Sequence, residues 1–220
     1  IVRIETDSGH VGYGEAPPTV AITGDSLESI LEALRGSIGP ALLGRDILAI
    51  DGNCQTVQNA VLKNTSAKAA AEIALYDLFA QQAGKPLYQV LGGGQPRLIT
   101  DLTISANDTA TMLYDCESAL ERGFTALKIK VGKDVGDDIA RLQAIRTAVA
   151  GRASLRIDAN QGWSAEQTIS VMHTLESGGE PFELIEQPVS AEDIQGLIKI
   201  RAGIKTPLLA DESAFNLEQV

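Results

Sequence analysis

A repeat of apolar strands and amphipathic helices between residues 101 and 211 constrains the fold of this chain more than any other feature. Successive predicted strands have their centres 25, 28, 28 and 24 residues apart, and each gap carries apolar side chains at helical spacing. Strands that alternate with helices at this step are typical of right-handed βαβ units on a parallel sheet. The predicted strands are Leu102–Ser105, Ala126–Lys130, Leu155–Asp158, Leu184–Glu186 and Leu208–Asp211.

Five units are visible, whereas a closed (β/α) barrel needs eight units in about 250 residues. The sheet is therefore either open or part of a longer barrel. The chain begins without Met inside the alternating run 1–6, and residues 216–220 look like the first turn of a helix capped by Asn216. We expect an α/β fold with a partial (β/α) TIM-type barrel of about five βα units, in a chain truncated at both ends.

Residues 1–96 follow a different pattern, which predicts a separate α+β domain. The alternating residues 1–16 predict a β-hairpin with Gly9 in its turn. An Ala-rich helix favours close packing, against the hairpin or against the next domain. Helices are predicted after a capping box of Asp25 with Glu28, over Ile47–Val61 with an interruption near Gly52, and over Ala67–Gln82 with Ser66 as its cap.

The glycine-rich run 92–96 separates the two patterns. A phosphate-binding loop is disfavoured because no strand precedes these glycines and no GxGxxG is present. We place the domain boundary here, with residues 1–96 as an N-terminally incomplete α+β domain and residues 97–220 as the first, C-terminally incomplete part of a (β/α)7β barrel.

Composition excludes several classes of protein. The 29 acidic residues against 18 basic ones give a formal charge of −11, which repels phosphate backbones and argues against nucleic acid as a partner. No apolar run approaches the ~20 residues that cross a bilayer, so we expect no membrane partner. Cys54 and Cys116 are isolated, and we interpret both as buried thiols rather than disulfide or zinc cysteines.

Carboxylates follow three successive predicted strands. Asp158, Glu186 and Asp211 each end a strongly apolar run. The carboxyl ends of parallel strands face one mouth in α/β barrels, so these side chains would repel one another without a cation between them. Mg²⁺ prefers oxygen ligands, and neither His10 nor His173 lies near a strand end, which disfavours zinc. We predict a Mg²⁺ site with these three ligands.

Two lysines accompany the carboxylates. Lys128 and Lys130 are two residues apart on one strand, so their side chains share a face. Neighbouring ammonium groups disfavour each other's charge, which lowers a lysine pKa toward the range of a base at neutral pH. Surface lysines are the alternative for an isolated pair. Beside a Mg²⁺ site, a base lysine favours abstraction of a proton α to a carboxylate, with the metal stabilising the enediolate.

The motifs in this order resemble those of the enolase superfamily, and more narrowly its muconate-lactonizing subgroup. Three softer stretches, 14–18, 22–26 and 127–133, resemble the dipeptide epimerases of the L-Ala-D/L-Glu type. The resemblance covers essentially the whole chain. The motifs are Lys128-Ile129-Lys130, Asp158-Ala159-Asn160-Gln161, Glu186-Gln187-Pro188 and Ala210-Asp211-Glu212-Ser213.

The resemblance implies a cytoplasmic Mg²⁺-dependent isomerase acting on a small-molecule dipeptide, with an α+β capping domain, and we expect a homo-oligomer. It makes Lys130 the acid/base, while Lys128 contacts the substrate carboxylate and tunes Lys130. Inversion needs a second acid/base, which the family places beyond Val220. The metal ligands it implies are Asp158, Glu186 and Asp211, and the substrate-binding residues are Thr103, Lys128 and the capping-loop residues Ile22, Thr23 and Asp25.

Other chemistries remain open on the same residues. Muconate cycloisomerisation or o-succinylbenzoate synthesis would use the same half-site, and one lysine can suffice there. A metal-free lyase with a Schiff-base lysine and an inactive fragment that serves only as an assembly partner are more distant alternatives.

Overall fold

The computed structural model describes residues 1–94, 98–215, 217 and 219. The chain divides into two units, Ile1–Arg97 and Leu98–Val220. The helical turn predicted from Asn216 and the end of the glycine-rich run at Pro96 lie outside the described residues. In the part of the chain that is described, no helix has both the length and the apolar character needed to span a membrane.

The first unit combines an antiparallel hairpin with short helices and one long helix. Strands β1 (Val2–Glu5) and β2 (Val11–Gly14) pair with Val2 opposite Gly14, which confirms the predicted hairpin. A π-helical turn, Leu34–Ile38, separates the second and third helices. The helices are α1 (Val20–Thr23), α2 (Leu27–Ala33), α3 (Gly39–Leu42), α4 (Ile50–Ala60), α5 (Thr65–Gln82) and α6 (Leu87–Val90).

Small residues let the hairpin lie directly on α5. A Cβ atom added to Gly14 would be 1.9 Å from the Ala70 carbonyl oxygen, and one added to Gly12 would be 2.3 Å from that of Ala74. Both distances are far below van der Waals contact, so only glycine fits at these positions. The alanines of α5 therefore serve close packing against the hairpin, which is one of the two partners expected from the sequence.

Three predictions about helices in this unit are wrong. Ser26, not Asp25, caps α2, because its hydroxyl accepts the Ser29 N–H at 3.1 Å. Asp25 turns toward α5 and accepts the Ser66 N–H at 2.9 Å, so Ser66 lies inside the first helical turn rather than capping it. Helix α4 continues through Gly52 without interruption, since one helical glycine costs only about 1 kcal/mol.

The second unit is a five-stranded parallel sheet in which strands adjacent in the sequence are neighbours. This topology confirms the predicted α/β fold with βαβ units. The strands are β3 (Leu102–Ile104), β4 (Ala126–Lys130), β5 (Ser154–Asp158), β6 (Leu184–Glu186) and β7 (Leu208–Leu209). The helices are α7 (Thr109–Glu121), α8 (Val135–Val149), α9 (Ala165–Glu176) and α10 (Ile194–Gly203).

Strand register separates an apolar face from a polar one. Ile129, Ile157 and Ile185 are Cα partners across β4, β5 and β6, and each is fully buried. The next residues along these strands are also in register and point to the opposite face. Strand β7 ends at Leu209, so Asp211 lies two residues beyond the strand and does not end it as predicted.

Acidic and hydroxyl side chains begin the helices of this unit. Ser164 and Gln167 form the predicted capping box of α9, and Asp108, Asp134 and Asp193 each accept a backbone N–H in the first turn of their helices. These caps fix where each helix starts after its strand, and hence the length of each strand-to-helix loop.

Both cysteines are free thiols. Cys116 is buried as predicted, and burial raises the pKa of its thiol to about 11. Cys54 is only half-buried, so the prediction of a buried thiol is wrong there.

Candidate active site at the carboxyl ends of the strands

The ends of β4, β5 and β6 bring two lysines and two carboxylates together. Register places Lys130 opposite Asp158 and Asp158 opposite Glu186. Lys128 lies one side-chain layer below Lys130 on the same face of β4. The lysine side chains are 20% and 27% exposed, whereas those of Asp158 and Glu186 are 1% and 10% exposed.

Short hydrogen bonds join these four side chains into one chain of alternating charge. Lys130 Nζ donates to Asp158 Oδ2 at 2.6 Å, and Lys128 Nζ lies 2.9 Å from the same oxygen. Lys128 Nζ also donates to Glu186 Oε1 at 2.7 Å. Each buried carboxylate is therefore paired, as the cost of burying an isolated charge requires.

The pairing shifts the pKa values of these groups in different directions. Burial disfavours the charged form of Asp158, but the hydrogen bonds from Lys130 and Lys128 outweigh burial and lower the pKa of this carboxyl. At Glu186, burial and the charges of Asp158 and Asp211 raise the pKa against the opposing effect of Lys128.

The pKa of Lys128 runs against our expectation from the sequence. Burial lowers it, but hydrogen bonds to Glu186 and Asp158 outweigh burial, so the pKa of Lys128 is raised. The predicted lowering of a lysine pKa is therefore wrong for Lys128, because two carboxylates lie closer to its ammonium group than the sequence pattern indicated. The side chain is suited to act as a fixed positive charge.

The oxygen atoms at the strand ends suit a hard cation. Asp158 and Glu186 supply carboxylate oxygens from neighbouring strands, and the Lys128 ammonium group lies between them as a positive charge. Asp211 is exposed on the segment after β7, near enough for its charge to raise the pKa of Glu186. Within the described residues, no three His, Cys, Asp or Glu side chains form a group that could hold a metal ion. The donor atoms nevertheless fit Mg²⁺ in kind, because all are carboxylate oxygens. Two of the carboxylates, those of Asp158 and Glu186, lie in adjacent register, and Asp211 lies on the next segment.

Asn160 contacts Lys130, and the sequence patterns predicted no role for this residue. Its Oδ1 accepts a hydrogen bond from Lys130 Nζ at 2.5 Å, and its backbone N–H donates to Asp158 Oδ1 at 2.9 Å. Asn160 also has a positive φ of 42°, a conformation that asparagine tolerates better than most residues. The signal was present in the sequence, since an asparagine two residues after a strand-end aspartate is suited to such a turn.

A buried aspartate locks the loops behind these strand ends. Asp138 is fully buried, and its Oδ2 accepts the Gly132 N–H at 2.9 Å and the Trp163 Nε1–H at 3.2 Å. Arg141 Nη1 donates to Asp138 Oδ1 at 2.6 Å and balances its charge. The loops after β4 and β5 thus share one anchor, which fixes the strand ends that carry Lys130 and Asp158.

The remaining predicted substrate residues have different environments. Thr103 is exposed on β3 and is the register partner of Lys128, so it shares the polar face. In the other unit, Ile22 and Thr23 belong to α1 and are exposed. Asp25 is only 4% exposed, and its carboxylate bonds to the Ser66 N–H, so it has a structural partner.

Comparison with known families matches both units of the chain. Residues 111–220 match the family described as enolase C-terminal domain-like. Residues 1–92 match the N-terminal domain of mandelate racemase and muconate lactonizing enzyme.

Individual relatives are similar over nearly the whole chain. The L-Ala-D/L-Glu epimerase of Bacillus subtilis strain 168 is 48% identical over 220 residues, which are 100% of this chain and 60% of the relative. A substrate-liganded structure of the Bacillus subtilis L-Ala-D/L-Glu epimerase aligns with a TM-score of 0.93 at 47% identity, covering 99% of this chain and 61% of that one. The dipeptide epimerase of Enterococcus faecalis V583, complexed with Mg and L-Leu-L-Tyr, aligns with a TM-score of 0.91 at 38% identity, covering 99% and 60%. The chain thus spans about 60% of the length of the relatives it matches.

Proposed function

Because the chain belongs to the mandelate racemase/muconate lactonizing enzyme family of the enolase superfamily, we propose that it is part of a Mg²⁺-dependent dipeptide epimerase. The observation that carries this proposal is the alternating cluster of Lys130, Asp158, Lys128 and Glu186 at the ends of three neighbouring strands. The similarity to dipeptide epimerases over 99% of the chain supports the dipeptide as substrate class.

Lys130 is the proposed acid/base. Its side chain lies on the polar face and is 27% exposed, and so accessible to a bound substrate, while Asp158 and Asn160 hold Nζ at a fixed place. In its neutral form, Nζ accepts the α-proton of the substrate, and as an ammonium group it returns that proton. The two hydrogen-bond acceptors orient the side chain in both states.

Lys128 is the proposed anchor for the substrate carboxylate. Its raised pKa keeps it protonated, and its Nζ lies on the same face as that of Lys130. A fixed ammonium group at this place attracts the carboxylate next to the reacting carbon. Thr103, which shares the polar face beside Lys128, is the proposed further contact to the substrate.

Asp158, Glu186 and Asp211 are the residues that we propose hold Mg²⁺. When bound, Mg²⁺ draws negative charge from the substrate carboxylate and so makes the α-proton more acidic. Burial of Asp158 and Glu186 strengthens the electrostatics of this site, since the effective dielectric constant is lower there than in water.

The test is exchange of the α-proton in deuterated water, followed by NMR over a library of dipeptides with the intact protein. We expect exchange with at least one dipeptide and its loss with EDTA. Lys130→Met should stop exchange from one stereoisomer and preserve it from the other, because inversion requires a second acid/base on the opposite substrate face.

Lys199→Met is the matched control, since Lys199 pairs with Glu166 on the exposed surface of α9 and α10. This variant should exchange at the wild-type rate. Absence of exchange with every dipeptide would overturn the proposal. Turnover of a muconate cycloisomerase or o-succinylbenzoate synthase substrate instead would favour one of those two reactions.

A further inference from the structure

The amide side chain of Gln187 connects the segments that carry two of the proposed metal ligands. Gln187 directly follows Glu186, is fully buried, and has a positive φ of 31°. Its Oε1 accepts the backbone N–H of Asp211 at 2.9 Å and that of Ser213 at 3.2 Å. The residue that follows Glu186 thus binds the main chain of Asp211.

The orientation of this amide follows from its partners. Two backbone N–H groups can only donate, so they face Oε1, whereas Nε2 faces the Val189 carbonyl at 3.0 Å and the Ser213 hydroxyl at 2.8 Å. All four hydrogen-bonding positions of the amide are therefore filled. A side chain satisfied in this way is held in a single orientation.

The backbone of Gln187 strengthens the same connection. Its N–H donates to the carbonyl of Leu209 at 2.9 Å, at the end of β7. Leu209 is two residues before Asp211. Gln187 therefore contacts the segment that carries Asp211 at two places, at the end of β7 and at Asp211 itself. An apolar side chain of the same size would fill the space without fixing the Asp211 main chain.

We infer that Gln187 is a positioning residue, which sets the Asp211 carboxylate relative to Glu186 and thereby tunes the affinity for the divalent cation. This inference rests on the proposed metal ligands. Gln187 has no direct contact with the Lys128 and Lys130 ammonium groups among the hydrogen bonds of the site, so its effect acts through Asp211.

The test measures Mn²⁺ binding by electron paramagnetic resonance of the unbound ion, with the intact protein and without substrate. Gln187→Met keeps the volume of the side chain and removes all four hydrogen bonds. Loss of an outer partner of a metal ligand weakens binding by about 10–100-fold, and we expect the Kd for Mn²⁺ to rise at least ~10-fold.

Gln161→Met is the matched control. Gln161 lies in the neighbouring loop, also has a positive φ, and its Oε1 accepts the Ala191 N–H at 2.8 Å. Among the described residues, its side chain has no hydrogen bond to the segment that carries Asp211. If the role of Gln187 were only structural, its substitution would lower the unfolding temperature in EDTA and leave the Kd for Mn²⁺ unchanged. We expect both variants to lose thermal stability and only Gln187→Met to lose Mn²⁺ affinity.

A folded Gln187→Met protein with a Kd within about twofold of the wild type would overturn the inference. If that variant does not fold, Ser213→Ala decides, since it deletes one oxygen that accepts from Gln187 Nε2. We expect its Kd to rise ~3-fold, in line with the loss of a neutral hydrogen bond, and an unchanged Kd would equally overturn the inference.

Failure of the proposed function has a different signature. Wild-type protein that binds Mn²⁺ but exchanges no dipeptide α-proton contradicts the epimerase proposal, while the ratio of Kd values still decides the role of Gln187. Wild-type protein that binds no Mn²⁺ contradicts both.

Discussion

Lys130 and Asp158 are register partners on β4 and β5, and their side chains meet in a 2.6 Å hydrogen bond from Nζ to Oδ2. Side chains alternate along a strand, so a shift of either strand by one residue would turn one partner to the helix face. The fully buried Ile129 and Ile157, one position earlier on each strand, hold this register through packing on that face. The core of the sheet therefore determines the geometry of the site.

The first prediction concerns the shared carboxylate. Asp158→Asn removes the negative charge that both lysines contact, so we expect the free energy of unfolding in EDTA to fall by about 1–3 kcal/mol, measured with urea. Glu166→Gln is the control, because it breaks only the exposed pair with Lys199 and should leave the free energy of unfolding almost unchanged. Equal losses in the two variants would contradict the energetic role assigned to burial.

The second prediction concerns the metal. Mg²⁺ that binds the folded state alone stabilises it by mass action, by about 2.7 kcal/mol at one hundred times its Kd. We expect the unfolding temperature of the wild-type protein to rise with MgCl2 at constant ionic strength. Asp158→Asn should show little or no rise. The same rise in both proteins would place the cation elsewhere.

Much of the second unit was predictable because its local signals agree with its tertiary contacts. The bounds of β4 and β6 match the predicted ones, since apolar runs buried on the sheet end at charged residues. The capping box of Ser164 and Gln167 also lies where the pattern predicts it. Short-range pattern and long-range packing favour the same conformation here.

The residues that the sequence could not assign depend on contacts between distant segments. Asp25 was predicted to form the cap of its own helix, but its partner is Ser66, 41 residues away. The raised pKa of Lys128 comes from hydrogen bonds to Glu186, 58 residues away, and to Asp158 on the next strand. A local sequence pattern carries no information about the distance between side chains that lie so far apart in the chain.

The third prediction concerns the loop that follows Lys130. Gly132 has a φ of 104°, and a Cβ atom there would be 2.2 Å from the Ala159 carbonyl oxygen. We expect Gly132→Ala to lower the free energy of unfolding by about 3 kcal/mol or more, from overlap and backbone strain together. Gly136→Ala in α8 is the control, because its nearest contact is 3.4 Å away and alanine favours a helix. Urea unfolding should separate the two variants, and similar stabilities would contradict the close approach of these loops.

The fourth prediction concerns acid stability at the connection between α10 and β7. Glu176 Oε1 accepts the N–H groups of Lys205 and Thr206 at 2.9 and 2.8 Å, and the Thr206 hydroxyl at 2.8 Å. Burial works to raise the pKa of this carboxyl, but the hydrogen bonds outweigh it and lower the pKa. A carboxyl whose pKa is lower in the folded state than in the unfolded state stabilises the fold above the unfolded value, about 4.3, and loses that contribution as the pH falls through the folded value.

Glu176→Gln retains an acceptor oxygen but has no charge to lose, so we expect it to be about 1 kcal/mol less stable than the wild type at pH 7. That difference in stability should shrink as the pH falls from about 4.3 toward 2.5, because the wild-type carboxyl then becomes protonated and loses its charge. Urea unfolding of both proteins across this range measures the difference directly, and a gap that stays constant with pH would show that the shape of the side chain stabilises this connection and its charge does not.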